Sequence, residues 1–171
     1  MSTQPSPLGR YVIDDGSAVV TVHLLSTPLE LLVRAREHHD GLMREFRLLA
    51  LSGQVAAPAA PVRLIELTEI LGRQHGAAGN RRDAEVDQAL ARGELVRDLH
   101  YDVGEGVVDA VRTLDALMTE ADTYCAAEEL MTVERPPLLK AFASWYLGQF
   151  VSQCEGGPAV PWVGPLSWVE D

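Results

Sequence analysis

Val107-Val108-Asp109-Ala110-Val111-Arg112-Thr113-Leu114-Asp115-Ala116-Leu117-Met118-Thr119-Glu120-Ala121-Asp122-Thr123-Tyr124-Cys125 decides the fold class. Val107, Val111, Leu114, Met118, Ala121 and Cys125 recur at i, i+4, i+7, while Asp109, Arg112, Thr113 and Glu120 fall between them. That rhythm belongs to an amphipathic helix with one face in a core. The spacing predicts a helix over 106–131.

Toward the C-terminus, Pro136-Pro137 opens a last helix that runs to about Cys154. Leu138, Leu139, Phe142, Trp145, Tyr146, Leu147, Phe150 and Val151 cover most of its circumference, and only Lys140, Ser144 and Gly148 leave a narrow polar or small stripe. A helix that apolar is central to a core or shared with a partner. Residues 156–171 carry Pro158, Pro161, Pro165, Trp162 and Trp168 without any period. Such a tail cannot bury its tryptophans within itself, so Trp162 is expected to dock near Trp145 or on a second subunit.

Toward the N-terminus, Leu95, Leu99, Tyr101 and Val103 alternate with Asp98, His100 and Asp102, the pattern of a half-buried strand over 95–103. Tyr11-Val12-Ile13, Asp14-Asp15-Gly16 and the run Ala18–Leu25 read as a β-hairpin around a tight turn. Thr27 is a candidate cap and Pro28 a first residue for a helix to about Leu51, with Leu32, Ala35, His39, Leu42, Phe46 and Leu49 as its buried stripe. A Pro/Ala linker over 53–61 leads to a second helix from Pro61, with Gly76 past its end. A short helix capped by Asn80 or Asp83 runs to Ala91, with Val86 and Leu90 inward. The expectation is α+β: mainly α, about four substantial helices, with a small antiparallel β-sheet from the hairpin and the 95–103 strand. Residues 1–9 form a flexible tail, 10–155 a single globular domain, and 156–171 a C-terminal tail.

Composition bounds the chemistry. At 171 residues, 47% hydrophobic and 23% charged, the chain can bury a core without disulfides or metals. The net charge of −11 repels phosphate backbones and anionic membranes, so neither nucleic acid nor a membrane is an expected partner. Cys125 and Cys154 stand alone, as reduced cysteines in a cytoplasmic protein would. Neither a charged start with an apolar run nor an ~18-residue apolar span is present. The histidines His23, His38, His39, His75 and His100 offer no Glu-x-x-His or His-Glu-x-x-His spacing; His38 and His39 point roughly 100° apart on a helix. No Gly-x-Ser-x-Gly, Gly-x-Gly-x-x-Gly or Gly-x-x-x-x-Gly-Lys occurs, and Gly104-Glu105-Gly106 carries its own repelling carboxylate ahead of a helix. The reading is a non-enzyme, with no metal and no cofactor.

The charged segment Arg34–Phe46 is the remaining candidate. Arg36, Asp40 and Arg44 stand at i, i+4, i+8, the spacing of a surface ion-pair ladder. Arg36-Glu37-His38-His39-Asp40-Gly41-Leu42 resembles the phosphoacceptor helix of one subclass of bacterial sensor histidine kinases, whose pattern is Arg-Glu-Leu-His-Asp-Gly-Leu. That resemblance implies a phosphoacceptor His39 oriented by Asp40. It departs at His38, where the pattern has Leu.

A wider resemblance rests on Glu37–Phe46, on Phe142-Ala143-Ser144-Trp145-Tyr146-Leu147-Gly148-Gln149-Phe150 and on Pro161-Trp162. These segments resemble an uncharacterised family of actinobacterial helical proteins found alongside ATP-binding regulators of the anti-sigma-factor kinase type. The resemblance implies a cytoplasmic regulatory adaptor in signalling or stress response, with a protein partner for which an ATP-binding regulator is one candidate. A homodimer is compatible with it. On this reading Arg36, Glu37, Asp40, Arg44, Glu45, Trp162 and Trp168 are the partner-binding candidates. The alternatives are histidine phosphotransfer through His39 and a small-molecule-binding helical module.

Overall fold

The computed structural model describes residues 10–12, 18–52, 63, 65–66, 69, 81–104, 106–126, 131–132 and 134–167. The fold is α+β and mainly helical. Strands β1 (Arg10–Val12), β2 (Ala18–Pro28) and β3 (Val96–Val103) form an antiparallel sheet in the order β1-β2-β3. β1 pairs with the start of β2, Arg10 opposite Val20, and β3 pairs along the rest, Leu24 opposite Leu99. Among the described residues the helices are α1 (Leu29–Ser52), α2 (81–91), α3 (Val107–Ala126) and α4 (Pro137–Cys154). Residues 63, 65, 66 and 69 are also helical.

Alternation builds the sheet's two faces. Val22, Leu24, Leu99 and Val103 are buried, whereas His23, His100 and Asp102 are exposed. The buried face packs on α4 through Phe150 and on α3 through Val111. A second cluster joins α1 to α3: Leu42, Met43 and Phe46 meet Leu117, Met118, Ala121 and Cys125, with Ile65 against them. A third, of Leu29, Val86 and Ala89, seats α2 on the start of α1. Both α2 and α4 end in glycine. Gly93 (φ +80°) donates to Leu90 O while Glu94 N donates to Ala89 O, and Gly156 (φ +94°) donates to Gln153 O while Gly157 N donates to Ser152 O. These are paired C-terminal closures that only a residue free to adopt positive φ makes cheaply.

Several expectations are corrected. Leu95 is 57% exposed, outside the alternating pattern, because β3 begins at Val96 and the Leu95 carbonyl accepts the Leu29 N–H. The β2–β3 register slips between Leu24 and Thr27, with Ser26 at φ 54°, so the period of two does not carry through. Thr27 belongs to β2, and its hydroxyl donates to Leu24 O. Asp83 lies inside α2, where it pairs with Arg36. The helix through Cys125 does not reach Met131, which lies in a bend at 94% exposure. The turn at 14–16, the linker at 53–61, Leu64, Leu67, Leu71, Gly76, Asn80 and the tail at 1–9 fall outside the described residues.

The chain after α4 docks on the body. Trp162 N donates to Leu25 O, and Trp145 Nε1 donates to Val160 O. The Trp145 and Trp162 rings meet edge to face at 5.6 Å, and Trp162 meets Phe142 at 5.7 Å. Trp162 therefore sits against Trp145, as the apolar cost of leaving it in water requires. Gln149 and Gln153, buried on α4, hold this arrangement. Gln153 Nε2 donates to His23 O (2.7 Å) and its Oε1 accepts from His23 N (2.9 Å). Gln149 Oε1 accepts from Gln153 Nε2 and from Val160 N. Beyond the short pairing with β1, these side chains and the tail occupy the open edge of β2.

Candidate functional site

The site is assembled by helical spacing. Leu32, Ala35, Arg36 and His39 lie on one face of α1. Leu139, Phe142, Ala143, Tyr146 and Leu147 do the same on α4, and Leu114 and Met118 on α3. Together with Arg82 and Asp83 of α2, Tyr101 of β3 and Arg135 they line a cavity of about 320 Å³. Leu42 and Phe46, further along α1, are buried against α3, whereas Leu32, Ala35 and His39 remain half-buried because they face this space.

The lining is apolar inside and polar at its rim. Arg36 Nη1 reaches Asp83 at 2.9 Å and Nη2 reaches Asp87 at 2.8 Å, clamping α1 to α2. This replaces the expected Arg36–Asp40 rung, and among the described residues Asp40 and Arg44 form no ion pair. The Arg82 guanidinium stacks 3.7 Å from the centre of the Tyr101 ring. Tyr146 and Tyr101 share a hydroxyl–hydroxyl hydrogen bond of 2.8 Å. Burial pushes both phenols above the ordinary tyrosine value, Tyr146 well above it, so both keep their protons. Burial pushes the His39 imidazole below its usual value; Asp40 opposes that, while His38 and Arg47 add to it.

A second polar unit stands behind the rim. Asp122, on the apolar face of α3, takes Arg135 through both carboxylate oxygens, at 3.1 Å from Nε and 2.8 Å from Nη2, and also accepts the Arg135 N–H. Their side chains retain only 8% and 7% exposure, so the pair is desolvated and the charges depend on each other. Lys140 bonds Glu134 and lies 3.8 Å from Asp122.

The proposed contact residues of α1 divide. Arg36 and His39 face the cavity. Glu37, Asp40 and Arg44 share an exposed face. Glu45 binds the bend before α4: its carboxylate accepts the backbone N–H groups of Met131 and Thr132 and the Thr132 hydroxyl. Burial would raise the Glu45 pKa, but these bonds outweigh it and lower it. Trp162 is docked on α4, and Trp168 lies outside the described residues.

Arg82, Arg135 and Asp122 are not singled out by the sequence, and Tyr101 and Tyr146 read there only as packing positions. Asp122 carried a signal, since it stands one turn from Met118 and Cys125 on a face that should be apolar. Cys125 is buried and Cys154 half-buried, both free, with thiols pushed up chiefly by burial. Among the described residues no three His, Cys, Asp or Glu side chains converge, and no helix is long and apolar enough to cross a membrane. No family model, no curated protein and no solved structure matches this chain.

Proposed function

We propose that the chain is a small-molecule-binding helical module with a regulatory role. The carrying observation is the cavity between α1, α3 and α4, about 320 Å³ in volume, with an apolar interior and a polar rim. A space of that size, mostly apolar with a few convergent polar groups, suits a small ligand. A folded core normally closes such a volume, because unfilled space costs packing energy. The regulatory part rests on α1 itself. Its inner face lines the cavity and its outer face presents Glu37, Asp40 and Arg44, so a ligand and a protein partner would touch the same helix on opposite sides.

Phosphotransfer through His39 has weaker support. A phosphoacceptor must be open to a donor protein, whereas His39 is half-buried against the cavity.

The test uses 1-anilinonaphthalene-8-sulfonate, an apolar fluorophore, against the folded protein. Binding is expected to saturate at one probe per chain and to be lost in Ala143→Phe, whose ring would fill the cavity. Failure to saturate, or saturation unchanged in Ala143→Phe with the fold retained, contradicts the reading.

A further inference from the structure

We infer that the ligand of this cavity is a planar aromatic carboxylate, an inference that rests on the small-molecule reading above. Most charged groups of the lining are already committed to ion pairs. Arg36 is committed to Asp83 and Asp87, and Arg135 to Asp122. The carboxylate of Asp83 is paired with Arg36, which it shares with Asp87. Arg82 stacks on Tyr101, and among the described residues it forms no ion pair. It is the rim cation left with charge to offer. The two tyrosine hydroxyls hold two protons and spend one on the bond between them, so the pair retains a donor for a further acceptor. A guanidinium and a phenol beside each other favour an anion that accepts two hydrogen bonds, and a carboxylate fits the flat guanidinium edge.

The rest of the lining selects the other end of the ligand. Phe142 and Tyr146 face the cavity with ring centres 5.9 Å apart, and Tyr101 meets Tyr146 edge to face at 6.2 Å. Met118 adds a polarisable sulfur from α3. Such walls favour a flat π-system over a branched aliphatic chain. The chain's net charge of −11 would otherwise repel a free anion, which makes a local cation the necessary anchor.

Three matched probes test this: 2-naphthoate, its neutral amide 2-naphthamide, and cationic 2-naphthylmethylamine. Their dissociation constants are measured by titration calorimetry on the full chain. The carboxylate is expected to bind roughly tenfold more tightly than the amide, and the amine most weakly. Arg82→Met should bring the carboxylate-to-amide ratio toward one, and Arg82→Lys should restore part of it. If the amide or the amine binds as well as the carboxylate, the ligand class is wrong while the cavity reading stands. If none of the three binds, the cavity reading fails and takes this inference with it. Should Arg82→Met not fold, the wild-type ranking alone decides.

Discussion

Asp122 and Arg135 show how a single buried ion pair shapes this fold. Asp122 reaches the side chain and the backbone N–H of Arg135, and so ties α3 to the turn that launches α4. Removing one partner strands the other in a desolvated site. Asp122→Ala is therefore expected to cost about 3–5 kcal/mol in denaturant unfolding, while the double replacement Asp122→Leu with Arg135→Met should recover most of it. A double variant as unstable as the single one would show that the carboxylate has another role. His39 makes a pH-dependent contribution. Its folded pKa lies below the unfolded value near 6.5, so the unfolded chain binds more protons as pH falls. The stabilisation from a neutral His39 is complete above 6.5 and is lost as pH drops from there toward the folded value. Melting temperatures between pH 7.5 and 5 should fall more steeply in the wild type than in His39→Gln. Parallel curves would contradict the burial argument.

At the scale of elements, the joint between α4, β2 and the tail has the clearest chemistry. Trp145, Gln149 and Gln153 form one row on α4 at i, i+4, i+8. They hold, in turn, Val160 O, Val160 N and both backbone groups of His23. Gln153→Leu leaves the His23 N–H and C=O without this partner; a fully buried orphan costs about 1–3 kcal/mol, and these part-buried groups should cost less. Truncation after Gly157 should also lower the melting temperature, because it uncovers Trp145 and the β2 edge. An unchanged melting temperature in both variants would mean that the tail adds nothing to the fold.

These contacts also mark what could be read in advance. The α3 rhythm, the α4 apolar run and the hairpin were legible because each reflects a period imposed by one element on its own residues. The docking of Trp162 near Trp145 was legible as an apolar necessity. The Gln row was not read: two amides inside an apolar helix signal buried hydrogen bonding, but their partners lie far away in sequence. Leu95 failed for a related reason, since a register slip in β2 cannot be seen from β3.

For the whole molecule, the central question is why α1, α3 and α4 leave a space between them. The interior side of the site was half legible. Leu32, Ala35 and His39 were read as buried stripe, and they do face inward; that they face a cavity depends on how three helices meet, which no single segment records. The rim was less legible still, because Arg82, Tyr101 and Tyr146 come from three separate elements and Arg36 was read as a partner of Asp40. If the space is a binding site, a ligand must stabilise the fold by mass action, about 2.7 kcal/mol at a hundredfold excess over its dissociation constant. Thermal unfolding with 2-naphthoate should therefore rise in the wild type and stay flat in Ala143→Phe. The most direct measurement is nuclear Overhauser contact between bound 2-naphthoate and the protein. Contacts from the naphthalene protons to the Met118 methyl and the Phe142 ring are the predicted result. Contacts confined to exposed residues such as Val163 or Leu166 would contradict the account.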